Sequence, residues 1–166
     1  MKWFLKSLIA GALLISIAAW AGAGKTDFSG TWTMNAEKSA TGDNAPRRVA
    51  AKMTIVQKAD TLSIERTFRR NTGEETSSTE KLTMDGKECV TTVMDRPRTS
   101  TATWSEDGKN LTIASKSVFE RDGNKIEMNS TETWKLSEDG KTLTMDVAST
   151  SPRGDRKGAF VYDKVK

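Results

Sequence analysis

From Val49 to the C-terminus, apolar and polar residues alternate in short runs separated by turn-forming residues. Thr61–Phe68 shows the pattern best: Leu62, Ile64 and Phe68 share one face with Arg66, while Thr61, Ser63, Glu65 and Thr67 take the other. Successive side chains leave a strand on opposite sides, so a period of two predicts a strand buried on one face. Met53–Val56 precedes this run across Lys58-Ala59-Asp60. Asn71-Thr72-Gly73 then turns into Thr76–Met84, Asp85-Gly86 into Glu88–Met94, and Asp95-Arg96-Pro97 into Thr99–Trp104. Asp122-Gly123-Asn124 joins Leu111–Glu120 to Lys125–Leu136, and Ser151–Asp155 leads to Ala159–Asp163. No helical period is sustained. About ten strands, each following its neighbour through a short turn, predict an all-β fold: an antiparallel up-and-down barrel of about 8–10 strands, whose closure removes exposed edges.

Two hairpins echo each other. Ser-Glu-Asp-Gly-Lys occurs at 105 and again at 137, each copy shortly after a tryptophan, Trp104 or Trp134. Asp-Gly suits a tight hairpin turn because glycine accepts the positive φ that matches strand twist. Upstream, Asp27–Met34 offers the first strand, with Gly30 permitting a close backbone approach beside Trp32. Trp32 is expected to plug one end of the barrel, its indole N–H finding a backbone acceptor. Asn35–Arg48 is rich in Gly, Pro, Asn and Asp and reads as the one long loop, placed to cover a barrel mouth.

Residues 1–23 change the picture of location. Met1–Lys6 is basic, Leu8–Ile17 is nearly all apolar, and Ala19-Trp20-Ala21 or Ala21-Gly22-Ala23 fits a signal-peptidase site. A cleavable signal helix is therefore expected over 1–23, with one domain at 24–166, exported to the periplasm or secreted and without stable membrane insertion after cleavage. The apolar run is short of the ~20 residues a spanning helix requires. Cleavage removes Lys2 and Lys6 and no acid, which lowers the net charge from +4 to +2. Interspersed charges of both signs argue against a nucleic-acid surface.

Histidine is absent from the sequence and Cys89 is the single cysteine. An intramolecular disulfide is thereby excluded, and the usual general base and metal ligand are missing. Cys89 reads as a small buried apolar side chain, with a reactive or intermolecular thiol as the alternative. Serines and threonines abound without a base to activate them, and the carboxylates at Asp107, Asp122, Glu138 and Asp139 sit on turns. Neither an enzyme, a metal site nor a cofactor is indicated.

The opening Phe28-Ser-Gly30-Thr-Trp32 resembles the Gly-x-Trp start of lipocalins and the Phe-x-Gly-x-Trp start of fatty-acid-binding proteins. Extended to Asn35, Lys38 and Ser39, it is similar to small exported bacterial lipocalin-like proteins. Their Trp-x-x-Asp-Gly-x-x-Leu hairpins and terminal Val-Tyr-Asp are echoed at Trp104–Leu111, Trp134–Leu143 and Val161–Asp163. The resemblance covers essentially the whole of 24–166 and implies a β-barrel with a cavity for a small hydrophobic molecule. Two departures matter. Phe160-Val161 precedes Tyr162 where fatty-acid-binding proteins carry the Arg-x-Tyr carboxylate clamp, and no Thr-Asp-Tyr lipocalin motif occurs in mid-chain.

Alternation places polar groups on faces that should point inward: Arg66 with Leu62 and Phe68, Ser115 and Ser117 with Phe119, Ser130 and Glu132 with Trp134. A dry core does not tolerate such groups unpaired. The candidate ligand-binding set is therefore Arg66, Phe68, Ser115, Ser117, Phe119, Ser130, Glu132 and Tyr162, with Arg66 meeting an anionic head group. Arg66 and Glu132 pairing with each other, or a bulge turning either outward, are the alternatives. The function expected is non-catalytic binding of a small hydrophobic or amphipathic, lipid-like ligand. The competing reading is a barrel filled by its own side chains that docks on another protein.

Overall fold

The computed structural model describes residues 24–166 apart from positions 41, 43, 47 and 94; the expected signal segment, 1–23, lies outside the described residues. The period-two runs form ten antiparallel strands. They are β1 (Gly30–Met34), β2 (Lys52–Lys58), β3 (Thr61–Arg69), β4 (Glu75–Thr83), β5 (Cys89–Val93), β6 (Arg96–Trp104), β7 (Asn110–Arg121), β8 (Asn124–Leu136), β9 (Thr142–Ser151) and β10 (Gly154–Lys164). Every strand pairs with its sequence neighbour except across β4–β5, and β1 pairs with β10, so the sheet runs β4-β3-β2-β1-β10-β9-β8-β7-β6-β5.

The sheet curls into a nearly closed up-and-down barrel. β4 and β5 lie side by side without a backbone ladder. At the turn end of this seam, the Thr83 amide donates to Cys89 Sγ at 3.3 Å. Cys89 is half-buried against the core there. Deeper in, Glu80 of β4 reaches past β5 to Ser100 and Arg98 of β6, so side chains close what the backbone leaves open.

Two strands begin earlier than the alternation suggests. β6 starts at Arg96 rather than Thr99, because Asp95 takes a φ of 60° and lets the chain reverse at once. β10 starts at Gly154 rather than Ala159, continuing the β9 ladder down to the Gly154–Ser151 pair. The two Ser-Glu-Asp-Gly-Lys turns share one hydrogen-bond set. Asp107 accepts from the Ser105 hydroxyl at 2.6 Å and the Lys109 amide at 3.0 Å; Asp139 accepts from Ser137 and Lys141 at 2.6 and 3.1 Å. Thr83-Met84-Asp85-Gly86-Lys87 repeats the device, Asp85 accepting from Thr83 and the Lys87 amide at 2.7 and 3.2 Å.

These three turns gather at one end with the stretch before β1, whose Thr26 amide donates to the Gly108 carbonyl at 3.0 Å. Aromatic packing closes that end. Phe28 stacks on Trp104 at 5.9 Å between centroids and meets Trp134 edge-on at 5.7 Å. Trp32 is fully buried, and its indole N–H donates to the Phe28 carbonyl at 3.0 Å. Beside it Gly30 holds a φ of 141°, and a Cβ there would lie 2.6 Å from Lys164 Cε. Trp104 and Trp134 therefore belong to the plugged end rather than to a binding mouth. The opposite end carries the turns after β3, β5, β7 and β9, together with the long loop after β1.

Candidate functional site

Above the aromatic plug the inward face changes from apolar to charged. Along β3 the buried side chains run Leu62, Ile64, Arg66; along β4, Leu82 then Glu80; along β7, Leu111, Ile113, Ser115; along β8, Trp134 then Glu132. The alternation that sends the apolar residues inward carries the next polar ones with them. The result is a layer of polar groups across the middle of the barrel, at most 8 % exposed at Arg66, Glu80, Ser100, Ser115 and Glu132.

The layer is internally paired. Arg66 Nη2 donates to Glu132 Oε2 at 2.7 Å, and the Trp134 indole N–H donates to the same oxygen at 3.1 Å. Arg66 also lies over the Trp134 ring, 5.7 Å from its centroid, with Nη1 3.7 Å from Met53 Sδ. On the seam side, Ser100 donates to Glu80 at 2.6 Å and lies 2.9 Å from the Ser115 hydroxyl. Arg98 binds the Ser115 hydroxyl at 2.9 Å, with Glu80 3.6 Å and Glu132 4.0 Å away. Two guanidinium groups thus face two carboxylates, and the layer as a whole is neutral. Burial pushes the Glu132 carboxyl up, but the charges of Arg66 and Arg98 and the bonds from Arg66 and Trp134 outweigh it and hold the group below the usual carboxylate range. Burial likewise acts to lower Arg66, and Glu132 and Glu80 more than reverse it. Two buried atoms have no hydrogen-bond partner among the described residues at this level, Arg66 Nε and Glu80 Oε2.

A cavity of about 80 Å³ lies against this layer on the open side, lined by Arg66, Phe68, Arg98, Glu132, Met145 and Val147, with Pro46, Arg48, Val49 and Ala50 as its roof. The roof is the end of the long loop. Ala40 bridges to Ala159, Asn44 accepts from the Lys157 amide at 3.1 Å, and the Ala45 carbonyl accepts from Arg156 at 3.2 Å, so the loop is laid along β10 and over the mouth. A larger depression of about 490 Å³ lies on the outer face of β2–β4, edged by Val56, Lys58, Ser63, Lys81 and Thr83. It is an open groove away from the polar layer.

Of the eight residues singled out in the sequence, Arg66, Phe68 and Glu132 line the cavity. Ser115 joins them through Arg98. Arg66 is paired with Glu132 through Nη2, the first of the two alternatives to its meeting a ligand head group, and Nε is left without a hydrogen-bond partner among the described residues. Ser117, Phe119 and Ser130 point inward nearer the mouth, at registers Ser117–Met128, Phe119–Ile126 and Ser130–Ser149, outside the cavity wall. Phe119 lies under Arg96, whose guanidinium carbon is 3.9 Å from the ring centroid. Tyr162 is a structural group: it is buried, and its hydroxyl donates to the Ala50 carbonyl at 3.0 Å, which pins the loop end to β10. Burial raises its pKa further above the usual phenol value.

Glu80, Ser100 and Arg98 are members of the layer that the sequence reading missed. Counting back by twos from Leu82 gives Glu80, and from Ala102 gives Ser100 and Arg98. The signal was there, hidden by the polar outward residues of β4 and by reading Asp95-Arg96-Pro97 as a turn.

No protein-family model and no curated protein matches the chain. Among solved structures it is similar to zebrafish ileal bile acid-binding protein complexed with cholic acid. That match has a TM-score of 0.53 at 16 % identity and covers 83 % of this chain and 98 % of that one. The likeness is one of fold. A redesigned β-barrel also matches, with a TM-score of 0.46 at 15 % identity, covering 84 % of this chain and 92 % of that one. The chain thus shares the antiparallel β-barrel fold of the bile acid-binding protein.

Proposed function

We propose that this protein binds a small hydrophobic or amphipathic molecule, without catalysis, in the mouth half of its barrel. The observation that supports the reading is the change in the interior from an aromatic plug to a polar floor with apolar walls above it. A barrel packed for stability alone gains nothing from placing four charged side chains at its centre, because desolvating them offsets most of their mutual attraction. A floor of fixed polar groups beneath Phe68, Met145 and Val147 suits a ligand with one polar end. A solved barrel of the same architecture holds cholic acid, in keeping with this use of the fold. The roof residues Pro46, Arg48, Val49 and Ala50 would move aside, since the cavity beneath them has room for only several waters. The basic, then apolar start of the sequence supports export to the periplasm or the exterior, with the ligand met there.

One observation favours the filled-barrel reading: about 80 Å³ is well below the roughly 300–1,000 Å³ of ordinary ligand sites. Native mass spectrometry of protein recovered gently from its source, set against the denatured mass, separates the two. A reproducible extra mass released by organic solvent, or uptake of one hydrophobic fluorescent probe per chain, upholds binding. A bare mass with no probe uptake establishes the filled barrel.

A further inference from the structure

The polar floor also bears on which head group the cavity accepts. Resting on the binding reading above, the geometry points to a ligand whose buried end is an uncharged hydroxyl-bearing group, as in a long-chain alcohol or a monoacylglycerol, rather than a carboxylate. Three observations carry this. First, the floor is already charge-balanced: Arg66 faces Glu132 at 2.7 Å, and Arg98 lies 3.6 Å from Glu80 and 4.0 Å from Glu132. The floor itself therefore offers an anion no net positive charge, and Glu132 lines the cavity together with Arg66, Arg98 and, in the roof, Arg48. Second, a carboxylate could take the Nη2 position on Arg66 only by displacing Glu132, and at any other N–H of Arg66 it would lie beside the Glu132 charge. The displaced group would lose its closest cation and the geometry of its Trp134 bond while still buried, an arrangement strongly disfavoured in a low-dielectric interior. Third, Arg66 and Glu132 both line the cavity, and Arg66 keeps one N–H, at Nε, without a hydrogen-bond partner among the described residues. A hydroxyl both donates and accepts, so it can serve a guanidinium N–H and a carboxylate together; a carboxylate can only accept. The roof and walls (Pro46, Val49, Ala50, Phe68, Met145 and Val147) then take the apolar body.

The test compares three ligands of one chain length, 1-decanol, decanoate and monodecanoylglycerol, by titration of the full-length folded chain at neutral pH with tryptophan fluorescence and native mass spectrometry. The alcohol or the glyceride is expected to bind at least about tenfold more tightly than the acid, a ratio equal to about 1.4 kcal/mol. Glu132→Gln keeps the volume of the side chain and frees Arg66, and is expected to raise decanoate affinity at least about tenfold. Decanoate binding the unaltered chain as tightly as the alcohol overturns the neutral-head proposal and leaves the binding reading standing. Uptake of none of the three, by either the unaltered chain or the variant, overturns both. The comparison within the unaltered chain decides even if the variant does not fold.

Discussion

Removing the Glu132 carboxylate is the sharpest probe of the interior. Glu132→Ala leaves Arg66 buried and deprived of its 2.7 Å partner, strips the Trp134 indole N–H of its acceptor, and weakens the hold on Arg98. Breaking a buried ion pair from one side costs about 3–5 kcal/mol, because the surviving charge cannot return to water. Orphaning a buried indole N–H adds about 1 kcal/mol or more. At 2–4 °C per kcal/mol for a domain of this size, the midpoint of thermal unfolding should fall by roughly 10–20 °C. Removing both charges together is a different perturbation. In Arg66→Met/Glu132→Leu no charge is stranded, Arg98 keeps Glu80 and Ser115, and the double variant should be more stable than Glu132→Ala by at least about 1–2 kcal/mol. Urea unfolding followed by tryptophan fluorescence gives both values, since Trp134 lies against the pair. A single variant within about 1 kcal/mol of the unaltered chain, or a double variant less stable than the single, would refute the claim that this pair is a desolvated, mutually dependent unit.

Three further outcomes follow from the same geometry. The Glu132 carboxyl is held below its unfolded value of 4.5, so its contribution is complete above that pH and is lost as pH falls through the lower folded value. The unaltered chain should therefore lose stability on acidification more steeply than the double variant; parallel acid titrations would count against it. Gly30→Ala forces a side chain into a φ of 141° and against Lys164, and should cost about 1–3 kcal/mol in urea unfolding. Adding Lys164→Ala should restore little, because the backbone strain remains; full recovery would show that the clash alone matters. Trp32→Ala empties a fully buried site and removes the bond to the Phe28 carbonyl, with an expected loss of about 3–5 kcal/mol by the same assay.

Much of this fold was legible because one face of each strand is wet. Leu62, Ile64, Leu111 and Ile113 alternate with Thr, Ser and Lys, and Asp-Gly marks the reversals, so strands and turns could be read without knowing their partners. Strand ends were harder. Asp95 reverses the chain in a left-handed conformation that glycine usually supplies, so the sequence pattern places the start of β6 too late. The site was half legible. The inward direction of Arg66 and Glu132 follows from period two alone, but what each meets depends on how β3 comes to face β8 across the barrel, which no local pattern encodes. Their pairing was one of two open alternatives. For the same reason the sequence does not show that the Tyr162 hydroxyl is used by Ala50, a residue far away in sequence.

The missing ladder between β4 and β5 has a consequence for how the chain can be assembled. β4 and β5 are neighbours in sequence, yet the two ribbons β1–β4 and β5–β10 are joined along their backbones only where β1 meets β10, near the two ends of the described chain. That closure spans most of the chain and bears the largest loop-closure entropy of any ladder in the sheet. Suppose the chain were cut within Met84–Glu88 and the C-terminus joined by a short linker to the residues before Phe28. Trp32 and Lys164 are paired partners, so the new link has little distance to cover. The strand sequence would become β5 through β10 followed by β1 through β4, and every backbone ladder would then connect consecutive strands. Such a circular permutant keeps each hydrogen-bonded pair of the native sheet and converts its one long-range ladder into a local one. It should reach the same barrel faster than the natural order of the chain does.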